Sequence, residues 1–126
     1  MTGETILIVE DDGLIALHLE ELLQNSGYDV PDPLASGEEA IEFVRTSSLP
    51  DLILMDITLD GKLNGIETAR QIRKISDTPV IFLSAHADLK LLTSDDDATP
   101  TTFIAKPFNG ADVVQTVEKM LQRVKL

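Results

Sequence analysis

Four short apolar runs in this chain are each followed, within a residue, by a side chain that can do chemistry. Acids follow the first two runs, a hydroxyl the third and an amine the fourth: Glu10 with Asp11, Asp56, Ser84 and Lys106. Carboxylates brought together repel one another unless they share a proton or a cation. Ligand sets made only of oxygen suit Mg²⁺, and an aspartate beside a cation can attack phosphorus. The residue types therefore favour metal-assisted phosphate chemistry.

The apolar runs themselves predict how these side chains are positioned. The runs are Ile6–Val9, Leu52–Met55, Val80–Leu83 and Phe103–Ala105. Continuous apolar runs are typical of parallel strands buried on both faces, and open α/β sheets bind ligands at the carboxyl ends of their strands. In a five-stranded parallel sheet of order 2-1-3-4-5, strands one and three meet at the topological switch point. That order brings Glu10, Asp11 and Asp56 together.

Segments with helical spacing lie between the apolar runs, so the sequence predicts a doubly wound (βα)5 sandwich. Several residues mark helix ends: Gly27 after the first helix, Ser36 with Glu39 at the start of the second, Asn64 at the start of the third and Asn109 at the start of the last. The last helix aligns apolar residues from Val113 to Val124 on one stripe.

Two predicted elements are irregular. Tyr28–Leu34 fits the second strand, but Pro31 and Pro33 cannot donate to a ladder, which favours an edge position. The stretch Asp95–Thr102 is rich in residues that prefer caps and turns. We therefore expect the fourth helix to be short or irregular.

Composition limits the function classes. The 126 residues fit one domain, spanning 1–126, and carry a net charge of −12 with a pI near 4.3. This charge argues against direct binding to nucleic acid or to an anionic membrane. The absence of cysteine excludes disulfides and thiolate chemistry. The N-terminus has no targeting or membrane segment, so we expect a cytoplasmic protein. The last predicted helix reaches about Val124 of 126 residues, so we expect no effector domain in this chain.

The remaining candidates have more than one interpretation. Ser84 could be a nucleophile, but no G-x-S-x-G elbow surrounds it, so a hydrogen bond to a phosphoryl oxygen is the better interpretation. Lys106 offers an ammonium to Asp56 or to that phosphoryl group, and Pro107 after it makes a rigid turn that can hold a cis bond. Phe103, an aromatic residue in a strand, is by default a core residue.

Four ordered motifs resemble the receiver domain of two-component response regulators, and the match covers essentially the whole chain. The motifs are Ile6–Asp12, Asp51–Asp56, Phe82–Ala85 and Lys106–Phe108. The resemblance implies a flavodoxin-like fold. It also implies that Asp56 accepts a phosphoryl group from a sensor histidine kinase or phosphotransfer protein, as a signalling switch toward an unknown downstream target or effector. No turnover of an external substrate is then expected.

The resemblance further implies roles for the other site residues. Mg²⁺ (or Mn²⁺) would be held by Glu10, Asp11, Asp56 and the backbone carbonyl of Thr58. Ser84 and Lys106 would contact the phosphoryl oxygens, and Ser84 and Phe103 would form a switch pair in which the ring turns inward.

The loop after Asp56 departs from the family pattern. Leu59-Asp60 replaces the common Met-Pro, and the path to Asn64 is one residue longer.

Two other classes of protein stay open as alternatives. A haloacid-dehalogenase-like phosphatase would need a second acid where Thr58 stands. A flavodoxin-like FMN binder would need phosphate donors where the loop after the first run is acidic.

Overall fold

The computed structural model describes residues 3–47, 50–59, 61–84 and 101–125. Strands and helices alternate over most of this length. The elements in chain order are β1 Ile6–Val9, α1 Gly13–Asn25, α2 Gly37–Thr46, β2 Leu52–Asp56, α3 Gly65–Arg73, β3 Val80–Ser84, β4 Thr101–Ala105 and α4 Gly110–Lys125. Within these ranges no helix is both long enough and apolar enough to cross a bilayer.

The four strands form one parallel sheet of order β1-β2-β3-β4. Successive side chains of a strand point to opposite faces, so each strand contributes to two cores. Helices α1 and α4 pack on one face, against residues such as Ile8 and Leu54. Helices α2 and α3 pack on the other, against Leu7 and Phe82. The predicted α/β sandwich with helices on both faces is therefore confirmed.

The predicted second strand, Tyr28–Leu34, is not a strand in the structure. It makes two isolated parallel bridges beside β1, Thr5 with Asp29 and Val9 with Leu34. The N–H of Leu34 donates to the carbonyl of Ile8 at 2.9 Å. Between the bridges, Pro31 and Pro33 have no N–H to donate, which interrupts the ladder. The described sheet thus has four strands instead of the predicted five.

The predicted helix starts are confirmed by their hydrogen bonds. Asn64 and Glu67 form a capping box at the start of α3, and the Ser36 hydroxyl accepts from the N–H of Glu39 at 3.2 Å at the start of α2. Gly27, just after α1, has a φ of 96°, as a terminating glycine requires. Residues 95–100, on which the prediction of a short fourth helix depends, lie outside the described part of the chain.

Strand β4 is the outermost described strand and is only partly buried. Ile104 lies in the core beneath α1 and α4. Phe103, expected in the core, is 47% exposed. Strand alternation turns its ring to the opposite face, at the outer edge of the sheet, where an aromatic side chain is not enclosed on all sides. The prediction of a core position for Phe103 is therefore wrong.

Candidate metal and phosphate site

The carboxyl ends of all four strands meet at one edge of the sheet, as predicted. Glu10 follows β1, Asp56 ends β2, Ser84 ends β3 and Lys106 follows β4. The strand register sets these ends level, since Asp56 pairs with Leu83 and the next residue, Ser84, pairs with Ala105. Asp56 and Glu10 are each only 3% exposed, so both carboxylates lie in a largely water-excluded site.

Three carboxylates gather at this edge. One oxygen from each of Glu10, Asp11 and Asp56 lies within 4.8 Å of the other two. Asp11 is half-buried, which leaves the group open on one side. Because hard oxygen ligands of this number suit Mg²⁺ bound with additional water or phosphate oxygens, the donor set fits that ion.

Lys106 is the positive charge of the site. Its Nζ lies 3.2 Å from Asp56 Oδ1 and 3.3 Å from Glu10 Oε1. Burial alone would lower the pKa of Lys106, but the charges of Asp56 and Glu10 outweigh burial and raise it. The N–H of Lys106 donates to the carbonyl of Ser84 at 2.8 Å, and the Lys106–Pro107 peptide bond is cis. The ammonium is therefore held in place beside the acids.

The surroundings of Glu10 oppose its ionisation. Burial, the hydrogen bond with Asp56 and the charge of Asp56 raise the pKa of Glu10 from 4.5 to about 7. The N–H of Asp12, which donates to Glu10 Oε2 at 3.1 Å, and the charge of Lys106 act in the opposite direction. The metal-free cluster therefore holds a proton on Glu10 over much of the acid range.

The backbone around Asp56 is fixed by its own loop. The N–H and hydroxyl of Thr58 lie 3.3 and 3.4 Å from Asp56 Oδ1. Gly65, the first residue of α3, packs on this backbone so closely that a Cβ would lie 2.9 Å from the Cα of Ile57. The sequence pattern predicts a role for the carbonyl of Thr58 only, and none for Gly65. The signal available for Gly65 was a glycine directly after a helix cap.

Ser84 and Phe103, the predicted switch pair, occupy different environments. The Ser84 hydroxyl is buried and has no hydrogen-bond partner among the described residues. A buried hydroxyl without a partner is unfavourable, so an incoming oxygen acceptor would be stabilised there. Phe103 is exposed on β4, where it pairs with Phe82 in the strand register.

The sequence of this chain matches a known protein family. The sequence profile of the family described as "Response regulator receiver domain" matches residues 6–118. Chemotaxis protein CheY of Thermotoga maritima is 31% identical over 119 residues, which are 94% of this chain and 98% of that protein. Transcriptional regulatory protein PdtaR of Mycobacterium tuberculosis is 30% identical over 95% of this chain, but the chain spans only 58% of PdtaR.

Solved structures of similar fold carry the same kind of name. A response regulator from Chloroflexus aurantiacus is 32% identical with a TM-score of 0.83, covering 95% of this chain and 98% of that one. The receiver domain of the sensor histidine kinase PA1611 of Pseudomonas aeruginosa is 29% identical with a TM-score of 0.83, again covering 95% and 98%. That structure has a magnesium ion coordinated in its active-site cleft.

Proposed function

The chain belongs to the response regulator receiver domain family, whose members act in two-component signalling, and from this premise we propose that Asp56 is its phosphoryl acceptor. The donor is a phosphohistidine on a sensor histidine kinase or phosphotransfer protein. One observation carries the proposal. The ammonium of Lys106 lies within 3.3 Å of two buried carboxylates, Asp56 and Glu10, at the carboxyl end of a parallel sheet.

The transfer exchanges one bond to phosphorus for another. A carboxylate oxygen of Asp56 forms the new O–P bond while the N–P bond to the histidine breaks, and the imidazole nitrogen leaves with the electron pair. The chain contributes position and charge to this step. Lys106 pairs with the phosphoryl oxygens, and the buried Ser84 hydroxyl gains the acceptor that it lacks among the described residues.

The cation of the site is proposed to be Mg²⁺, held by Glu10, Asp11, Asp56 and the carbonyl of Thr58. Its support is the oxygen-only donor set and the magnesium in the related Pseudomonas receiver domain. When bound, the ion would supply positive charge that offsets the charge of the phosphoryl oxygens. The carboxylates orient it, and their burial excludes water from the reacting oxygen of Asp56.

Phosphorylation is proposed to act as a switch through Ser84 and Phe103. Movement of the Ser84 hydroxyl toward the phosphoryl group would free space into which the exposed ring of Phe103 turns, with the turn at Pro107 keeping Lys106 in place. Phe103→Ala should leave labelling of Asp56 intact but reduce the change in partner binding on phosphorylation. Equal phosphorylation dependence in Phe103→Ala would refute the switch.

Recognition of the kinase requires a surface next to the site. Leu14 and Leu17 of α1 are 82% and 51% exposed, and the helix begins directly after Asp12, beside the acidic cluster. A partner that presents a phosphohistidine to Asp56 would cover these two leucines.

The net charge of −12 argues that the downstream target of the domain is a protein, and that the domain does not contact nucleic acid directly.

We also propose that residues 1–126 form a single receiver domain with the five-stranded order 2-1-3-4-5. In that order the bridged segment Tyr28–Leu34 counts as strand 2 and lies at the edge of the sheet beside β1. Such a domain catalyses its own phosphorylation and dephosphorylation and turns over no external substrate.

The test is labelling by acetyl phosphate with Mg²⁺, followed by intact-mass measurement. One phosphate should be added to the wild type and none to Asp56→Asn. Asp51→Asn is the matched control, because Asp51 precedes the same strand at its other end and Asn retains an oxygen for the Thr5 N–H. Labelling that survives in Asp56→Asn, or turnover of a generic phosphomonoester, would contradict the assignment.

A further inference from the structure

We infer that Glu38 of helix α2 is a positioning residue for the loop between Asp56 and α3, and through that loop for the magnesium site. The inference rests on the proposed function, since the loop carries the Thr58 carbonyl proposed as a ligand. Glu38 itself is an exposed residue in the first turn of α2 and belongs to no motif of the site.

Both carboxylate oxygens of Glu38 face this loop. Oε2 accepts a hydrogen bond from the N–H of Lys62 at 3.1 Å. Oε1 lies beside Gly61, where an added Cβ would stand 3.2 Å from it. Gly61 has a φ of 102°, which favours glycine, so the chain turns sharply there and presents its next amide to the carboxylate. A hydrogen bond to an ionised acceptor is stronger than one between neutral groups.

Helix α2, which carries the Glu38 carboxylate, is held in place by its packing against α3. Gly37, the residue before Glu38, packs so tightly against α3 that a Cβ there would collide with the hydroxyl of Thr68. Thr68 is fully buried, and its hydroxyl donates to the carbonyl of Asn64 at 2.8 Å. Adjacent residues of α2 therefore hold two neighbouring structures: Gly37 holds α3, and Glu38 holds the loop that leads into α3.

The two ends of the loop are fixed separately. At its start the N–H of Ile57 donates to the carbonyl of Leu83 at 3.1 Å. At its end the N–H of Asn64 donates to Glu67 Oε1 at 2.9 Å. Glu38 holds the middle. Without that contact the two ends would stay fixed, but the segment after Thr58 would sample more conformations. Metal binding would then have to restrict this segment, and the conformational entropy lost would lower the affinity for Mg²⁺.

The consequence is a specific effect on affinity. Glu38→Ala should weaken Mg²⁺ binding roughly 2- to 10-fold, the range expected for one lost hydrogen bond. Labelling of Asp56 at saturating Mg²⁺ should stay within about twofold of wild type, because no reacting group changes. Glu38→Gln keeps an oxygen acceptor for the Lys62 N–H and should restore most of the affinity although it removes the same charge.

The experiment is calorimetric titration with Mg²⁺, together with the Mg²⁺ dependence of acetyl phosphate labelling, in the whole chain. The matched control is Glu42→Ala, which removes one acid from the exposed side of the same helix, where Glu42 pairs with Arg45. Thermal melting of each variant without Mg²⁺ separates lost folding from lost affinity. Both Glu38 variants lose the same charge at the helix N-terminus, so any destabilisation from that charge is common to the two.

Each outcome decides the matter. Weak binding by Glu38→Ala, with Glu38→Gln and Glu42→Ala near wild type, supports the positioning role. Equal affinities of Glu38→Ala and Glu42→Ala overturn it. Glu38→Gln as weak as Glu38→Ala also overturns it, because the effect is then one of charge. A wild type that binds no Mg²⁺ overturns the proposed function as well, which distinguishes the two failures.

Discussion

Replacing Glu10 by glutamine should stabilise the metal-free protein by its full amount above pH 7 and only slightly at pH 5. Glutamine has the shape of a protonated Glu10 and cannot ionise. The wild type, in contrast, must bury a negative charge beside Asp56 once pH exceeds the pKa of Glu10, which stands at about 7 in the folded state against 4.5 for the free residue. The variant avoids that cost.

The sign and size follow from proton linkage. Between pH 4.5 and 7 the folded wild type holds a proton on Glu10 that the unfolded chain has lost, so its stability falls as pH rises through this window. Below pH 4.5 both states are protonated, and above 7 both are ionised. A rise from 4.5 to about 7 corresponds to at most about 3 kcal/mol. Asp56, Asp11 and Lys106, which face Glu10, are present in both proteins.

Urea unfolding followed by circular dichroism at pH 5, 6, 7 and 8, with a chelator present, measures this effect. The difference in unfolding free energy between Glu10→Gln and wild type should grow from at most about 1 kcal/mol at pH 5 to about 3 kcal/mol at pH 8. Saturating Mg²⁺ should reverse the order at pH 8, because the ion requires the ionised carboxylate. A difference that stays flat from pH 5 to 8 would refute the electrostatic reasoning.

Three further predictions concern the same site. Lys106→Met should destabilise the metal-free protein by about 1–3 kcal/mol in urea unfolding, and by more at pH 8 than at pH 6, since two buried carboxylates lose their cation; no loss at either pH would contradict this. Gly65→Ala should cost about 1–3 kcal/mol because its Cβ collides with the backbone of Asp56, whereas Gly13→Ala, whose Cβ meets nothing within 4 Å, should not destabilise; equal effects would be inconsistent with the packing. Mg²⁺ at ten times its Kd should raise stability by about 1.4 kcal/mol, seen as a higher melting temperature, and a melting temperature indifferent to millimolar Mg²⁺ would count against the metal site.

Local patterns in the sequence were enough to predict the strand ends and the helix caps. A run of consecutive apolar residues indicates a buried strand, so the end of each run predicts where the strand ends. The positions of the chemically active residues followed from those ends: Glu10, Asp56, Ser84 and Lys106. The Asn64–Glu67 capping box is equally local, because its two partners lie one helical turn apart.

Features set by contacts between distant segments could not be predicted. The contact of Glu38 with the Lys62 amide depends on how α2 packs on α3, which no local spacing encodes. The predicted strand order already placed the strand of Phe103 at an edge, but how much of its ring stays exposed depends on which segments pack over that face of the sheet. The prolines of Tyr28–Leu34 did indicate a weak edge, but whether two bridges or a full ladder forms depends on how many N–H groups remain to pair with β1.

The most direct test of the central claim is to locate the phosphoryl group. After incubation with acetyl phosphate and Mg²⁺, borohydride reduction converts a phosphoaspartate to homoserine, which peptide mass spectrometry assigns to one residue. Homoserine is expected at position 56 alone, and none is expected when Mg²⁺ is removed by a chelator. Homoserine at another aspartate, phosphate retained on Ser84, or equal labelling without Mg²⁺ would contradict that claim.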